Sequence, residues 1–249
     1  MKPLFAAIAF LTVIPVPKAL AGDVDDLEKS VPFFPVVGLL LGILAAAFGY
    51  VMDVLLPVYP ATVMVVIFLL ALSGGLHMDG LADTADGFFS ARPRERMLEI
   101  MKDSRIGVMG VLAVVCVMLL KLSLFVSLPL SMRLTVFFLT PLAGRCALVI
   151  LMTALPYVRS TGGLATLFVK RRSWMHVLWV ALFLALAGIF AAQWMGVAAA
   201  AATLAVAVLL AFYSYRKIGG YTGDTLGAVC EITEIVPALV VVCWVMGNS

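Results

Sequence analysis

Seven apolar runs of 18 to 22 residues follow one another along the chain, at roughly 32–52, 60–77, 107–127, 134–155, 174–193, 196–215 and 228–247. A helix needs about 20 apolar residues to cross the hydrocarbon layer, so each run suffices for one crossing. Only helices and closed barrels satisfy their backbone groups in lipid, and runs this long select helices. The pattern predicts an all-α, polytopic membrane bundle of about seven spans, forming one domain over residues 1–249. A shorter run, Leu4–Val16, is interrupted by Pro15 and Pro17 and reads as a short interfacial or re-entrant helix. With Lys2 before it and Ala19-Leu20-Ala21 after it, this run imitates a secretory signal. Cleavage there would invert every later connection, which the charges oppose, so the segment is expected to stay.

Composition agrees with the pattern. The chain is 64% apolar and 12% charged, with mean hydropathy +1.15, whereas a soluble domain is about half apolar and about a quarter charged. That excludes a cytosolic globule, a disordered chain and a disulfide scaffold. The four cysteines, Cys116, Cys146, Cys230 and Cys243, fall in or beside apolar runs without a C-x-x-C pair, so zinc and thiol-redox readings have no support. A net charge of +3 is too small to suggest a nucleic-acid partner.

Where the charges sit says more. The connections at 51–60 and 193–196 hold no Lys or Arg. The alternate ones hold Arg92, Arg94, Arg96, Lys102 and Arg105, then Arg159, Lys170, Arg171 and Arg172, then Arg216 and Lys217. With Lys2, Lys18 and Lys29, 14 of the 17 basic residues share one side, which positive-inside bias makes cytoplasmic, the N-terminus included. Lys121 and Arg133 sit toward the opposite face, and Arg145 lies within a span. Of the 14 acidic residues, 13 share the basic side. The exception, Asp53, reads as a solvated loop carboxylate.

Three clusters at that face carry candidate chemistry. In Ser73–Gly87, helical spacing brings Asp79, Asp83 and Asp86 within about 40° of one another on one face. Three carboxylates so close repel, and no nearby basic residue pairs them. A hard divalent cation such as Mg²⁺ takes oxygen ligands of this kind together with substrate phosphates. His77 points off that face and reads as a general base, a substrate contact or an interfacial histidine. In the second cluster Asp103 is a further candidate ligand, and Lys102 and Arg105 suit a diphosphate. Arg145 is either a third phosphate contact or the partner of a buried carboxylate. In the third cluster, Gly219–Gly227, with Thr222 and Gly223, reads as a glycine-rich loop whose N–H groups cradle phosphate, with Asp224 beside it. Glu231 and Glu234 share a helix face, where they need either cations or a metal. Acidic clusters, a basic arm and glycine loops on one membrane face point to metal-assisted chemistry on a phosphate ester.

At these residues the chain resembles the cobalamin synthase family, the adenosylcobinamide-GDP ribazoletransferases. The matching blocks are Phe10–Pro17, Phe34–Gly42, Gly74–Gly87, Glu99–Gly110 and Gly219–Glu234, which together run nearly end to end. Val13 departs from the family pattern, where an Arg is usual. The resemblance implies a Mg²⁺-dependent transfer of cobinamide phosphate from adenosylcobinamide-GDP to α-ribazole, or to its 5′-phosphate, with release of GMP. It implies a bacterial inner-membrane enzyme, embedded in the lipid bilayer, with no nucleic-acid partner and with a homo-oligomer left open. On this reading His77, Asp83 and Asp86 are catalytic. Lys102, Arg105, Arg145, Thr222 and Gly223 hold substrate, and Asp79, Asp83, Asp86, Asp103, Asp224 and Glu231 hold metal. The CDP-alcohol phosphotransferases begin alike at Asp83-Thr-Ala-Asp86-Gly87, but the spacing to Ala91-Arg92 is one residue too long. A transporter would place its polar groups near the bilayer midplane and usually shows an inverted repeat; the acidic residues gather at one face instead.

Overall fold

The computed structural model describes residues 1–20, 22–159 and 173–247. Ala21 of the signal-like triplet, and Lys170, Arg171 and Arg172 of the expected basic connection, lie outside the described residues. The described helices are α1 (Lys2–Leu11), α2 (Val24–Glu28), α3 (Phe34–Leu55), α4 (Val58–Ser73), α5 (Leu76–Phe88), α6 (Arg94–Ile100), α7 (Val108–Val126), α8 (Leu130–Ala154), α9 (Trp174–Ile218) and α10 (Gly223–Gly247). A 3-10 turn at Val31–Phe33 leads into α3, and the described residues contain no strand, only an isolated bridge between Tyr157 and Tyr221. The expected all-α architecture is what is found. Five of the described helical segments are long and apolar enough to cross a membrane: Val31–Leu55, α7, α8, α9 and α10. The bent pair α4 and α5 qualifies together as a sixth.

The seven apolar runs correspond to α3, α4, α7, α8, two halves of α9, and α10. Within α9 the backbone leaves helical geometry at Ala192 and Gln193, the latter at φ 50°. A Cβ built on Gly188 would collide with the backbone of Gly196, although residues eight apart on a straight helix stand ~12 Å apart. The chain doubles back at this point, next to the break in the apolar pattern. Between α4 and α5 the backbone turns through 88° at Gly74 and Gly75, both left-handed at φ 61° and 74°. L side chains rarely adopt that conformation, so the glycine pair permits the corner. The turn sets α5 nearly at right angles to α4.

α8 is the hub. Every residue from Leu139 to Thr153 is buried, as expected of a helix that is apolar around its circumference. α3 lies on it through the stripe Gly38, Gly42, Ala45 and Gly49; a Cβ on Gly38 would stand 2.9 Å from Leu142 Cα. Lipid tails are as apolar as leucine, so close backbone packing of this kind has to supply much of the helix association. The expected short N-terminal helix is present but ends at Leu11, and α1 packs against α2 and α3, burying Ala6, Ala7 and Leu11.

At the other end of α3 the structure corrects the reading of Asp53. It is no solvated loop carboxylate: it lies in the last turn of α3 and accepts bidentately from Arg133 Nε and Nη2 at 2.9 and 2.8 Å. Arg133 is fully buried, donates to the Phe125 carbonyl and the Thr62 hydroxyl, and lies 5.1 Å above the Phe137 ring. This clamp joins α3, α4, α7 and α8. Deleting one partner of a buried ion pair costs about 3–5 kcal/mol, whereas replacing both by apolar groups is often close to neutral. Asp53→Leu is therefore expected to lose that much stability in thermal unfolding of detergent-solubilised protein, and Asp53→Leu with Arg133→Met to regain most of it. A double variant no more stable than the single would show that the two side chains do not act as a pair.

Candidate active site

The site forms where α5 crosses the start of α10. A Cβ on Gly80 would stand 2.7 Å from the Asp224 carbonyl oxygen, and one on Gly227 would stand 2.8 Å from the His77 carbonyl oxygen. Two glycines thus let the backbones touch, and the contact carries Asp79 and Asp83 up to Asp224. α10 begins with reciprocal capping: the Thr222 hydroxyl accepts from the Thr225 N–H at 3.2 Å, and the Thr225 hydroxyl accepts from the Thr222 N–H at 2.8 Å. Just before it, Tyr221 N–H donates to the Pro156 carbonyl at 2.9 Å and Val158 N–H donates to the Tyr221 carbonyl at 3.1 Å. That pairing sets Arg159 beside Asp224, where Nη2 donates to Oδ2 at 2.5 Å and to the Met101 carbonyl at 3.1 Å.

A cavity of about 240 Å³ opens at this junction. Its polar side holds His77, Asp79, Arg159 and Asp224; its apolar side includes Phe10 and Leu11 of α1, with Phe34 and Leu148. The Asp83 carboxyl is partly buried and feels the charges of Asp224 and Asp79, with Arg159 acting against them. His77 is 3% exposed, and its Nδ1 has no hydrogen-bond partner. Electrostatically it feels Arg145, Glu234 and Lys121, which form an ion cluster together with Glu231. There Lys121 donates to Glu231 and Glu234 at 2.8 Å each, and Arg145 donates to the other oxygen of Glu234. Two cations meet two anions, all four buried.

The sequence profile of the cobalamin-5-phosphate synthases matches residues 3–242. The chain belongs to that family. Among its relatives, the adenosylcobinamide-GDP ribazoletransferase of Desulforamulus reducens is 40% identical over 228 residues, covering 92% of this chain and 91% of its own length. That of Acetivibrio thermocellus is 38% identical over 234 residues, 94% of each chain. That of Klebsiella pneumoniae is 39% identical over 243 residues, 94% of this chain and 97% of its own. No solved structure matches the chain. The resemblance drawn from the five motif blocks holds over nearly the whole sequence.

Within this family member the candidate residues divide. His77, Asp79, Gly223 and Asp224 line one cavity, with Asp83 alongside. Asp86 stands apart: its two oxygens accept from the N–H groups of Gly107 and Gly110 at 2.6 and 2.8 Å, capping α7. A carboxylate at a helix N-terminus is stabilised by the helix dipole, so Asp86 anchors α7 rather than serving as an open metal ligand. Asp103 is held to about 2 by hydrogen bonds from Arg105. That exposed pair and the exposed Lys102 do not line the cavity. Arg145 is committed to Glu234 and Glu231 to Lys121, so the phosphate role expected of the first and the metal role expected of the second give way to ion pairing. Thr222 is buried and used in capping. The expected loop at Gly219–Gly227 is already helical from Gly223.

Among the described residues no three His, Cys, Asp or Glu side chains converge closely enough to hold a metal unaided. A cation at Asp79, Asp83 and Asp224 would need further oxygens, as Mg²⁺ commonly takes from water and substrate phosphates. The donor chemistry therefore fits a cation that completes its shell with water and substrate oxygens. Two participants escaped the sequence reading. Arg159 was counted only toward charge bias, and Lys121 was placed near the opposite face. Charge balance was the available signal for Lys121, because Glu231 and Glu234 within one apolar helix need two cations. Lys121→Met is expected to cost about 3–5 kcal/mol in thermal unfolding, against less than about 0.5 kcal/mol for the exposed Lys102→Met. Equal effects would remove the ion cluster from the core.

Proposed function

We propose that this protein is a Mg²⁺-dependent membrane transferase. It joins adenosylcobinamide-GDP to α-ribazole, or to α-ribazole 5′-phosphate, and releases GMP in assembling the nucleotide loop of cobalamin. The observation that carries the reading is the cavity at the α5–α10 crossing, where an acidic group with excess negative charge faces an apolar wall inside a member of this family. The bacterial relatives support a bacterial inner membrane, and charge bias supports this end of the bundle lying toward the cytoplasm.

In the reaction, the acceptor hydroxyl oxygen bonds to the cobinamide-side phosphorus. The bond from that phosphorus to the bridging oxygen breaks, and GMP leaves with that oxygen. The hydroxyl proton passes to a base, and the imidazole of His77, buried in the cavity wall, stands ready for it along with the neighbouring carboxylates. Asp79, Asp83 and Asp224 would hold Mg²⁺, which when bound neutralises diphosphate charge. Phe10, Leu11, Phe34 and Leu148 offer an apolar surface to the corrinoid and keep water from the reacting phosphorus.

Purified protein in detergent, given adenosylcobinamide-GDP and α-ribazole, is expected to release GMP with Mg²⁺ and not with EDTA. Asp83→Asn is expected to lower turnover at limiting Mg²⁺ by about 10²-fold, the rate equivalent of nearly 3 kcal/mol. Full turnover in that variant would overturn the ligand assignment. Absence of GMP release from folded wild-type protein would overturn the reaction.

A further inference from the structure

We propose that Arg159 is an anion-binding residue held in reserve by Asp224. It leaves Asp224 when a divalent cation engages that carboxylate, and it takes a phosphoryl group of the nucleotide in exchange. The inference rests on the cation-dependent reading above and deepens it by naming the phosphate-binding residue and the order in which the site loads.

Elimination provides the first support. A diphosphate needs cationic contacts, and among the described residues the cavity wall contains one Lys or Arg, namely Arg159. Arg145 and Lys121 are committed to Glu231 and Glu234. Lys102 and Arg105 are exposed and do not line the cavity.

Unspent donors provide the second. A guanidinium carries five N–H donors in a fixed fork. Nη2 of Arg159 serves Asp224 and the Met101 carbonyl, while Nε is buried without a partner. Buried polar atoms without partners are uncommon, and an unused donor on the one cation that lines the cavity among the described residues suits an incoming anion.

Competition provides the third. Asp224 faces Arg159, the Thr222 hydroxyl at 3.3 Å and the charge of Asp79. Its carboxylate cannot serve a guanidinium and a metal ion equally well. Once a cation takes it, the largely buried guanidinium, 14% exposed, needs a new anion, and phosphate oxygens match its fork. The backbone pairing of Pro156–Val158 with Tyr221 holds the base of the side chain in place while its head changes partner.

Calorimetric titration of the full-length protein in detergent, with Mg²⁺ alone, GMP alone and GMP in the presence of Mg²⁺, tests the exchange. Wild type is expected to bind GMP about tenfold more tightly with Mg²⁺ than without, the equivalent of one charge-assisted contact. Arg159→Gln is expected to bind Mg²⁺ more tightly than wild type, because its competitor is gone, and to lose the Mg²⁺-dependent gain in GMP affinity. Asp224→Asn releases Arg159 without metal, so its GMP affinity is expected to be high and insensitive to Mg²⁺; this variant guards against a misfolded Arg159→Gln. If both variants keep the wild-type coupling, Arg159 is a structural partner of Asp224 and the exchange is overturned while the cation site stands. If wild type binds neither ligand, the cation-dependent reading fails and takes the exchange with it.

Discussion

Glu231 and Glu234 lie one helical turn apart on α10, inside the bundle, and much of the remaining structure is arranged around neutralising them. In a low-dielectric interior an unpaired carboxylate costs far more than any single apolar contact returns. Lys121 answers from α7 and Arg145 from α8, so the three helices are held at one level by charge. The same α10 carries Gly227 and Asp224 at its start, and its position therefore decides whether α5 can cross closely enough to bring Asp79 and Asp83 into the site. The geometry of the candidate site is thus inherited from an ion cluster that itself lies outside the cavity lining.

The charged residues of this protein fall into closed and open sets. Asp53 with Arg133, and Lys121 and Arg145 with the two glutamates, are closed: each carboxylate has its cation, and the groups are withdrawn from water. The set at the cavity is open. Asp79, Asp83 and Asp224 face a single guanidinium, that of Arg159. Closed sets give a membrane protein its internal register. An imbalance that persists at one end of a bundle is where external charge can bind.

The sequence shows how deep each residue lies but not which neighbour it faces, and the outcome follows that division. The apolar runs, the short N-terminal helix and the division of residues 174–215 near Gln193 are all legible in one dimension, because each depends on the length of an apolar stretch or the residues that interrupt it. So is the candidacy of Asp79, Asp83 and Asp224, since acidic residues with no local partner stand out against 64% apolar composition. Asp86 has the same spacing as its neighbours, yet it meets the first turn of α7 because of a turn at Gly74–Gly75 that spacing alone does not orient. The pairings of Lys121 and Asp53 escaped the sequence because their partners lie more than 70 residues away. Arg159 stood among other basic residues, and only the pairing of the 156–158 segment with Tyr221 separates it from them.

The Asp53–Arg133 clamp has a consequence for how the chain is made. Synthesis delivers α3 long before α8, so the acid waits at the end of its helix, near the headgroups, until the base emerges. Arg133 enters next to a waiting counter-ion and never has to sit unpaired against lipid. The reverse order would leave the guanidinium without its carboxylate until the later helix arrived. Position along the gene, as well as position in space, thus makes a fully buried arginine tolerable in this membrane protein.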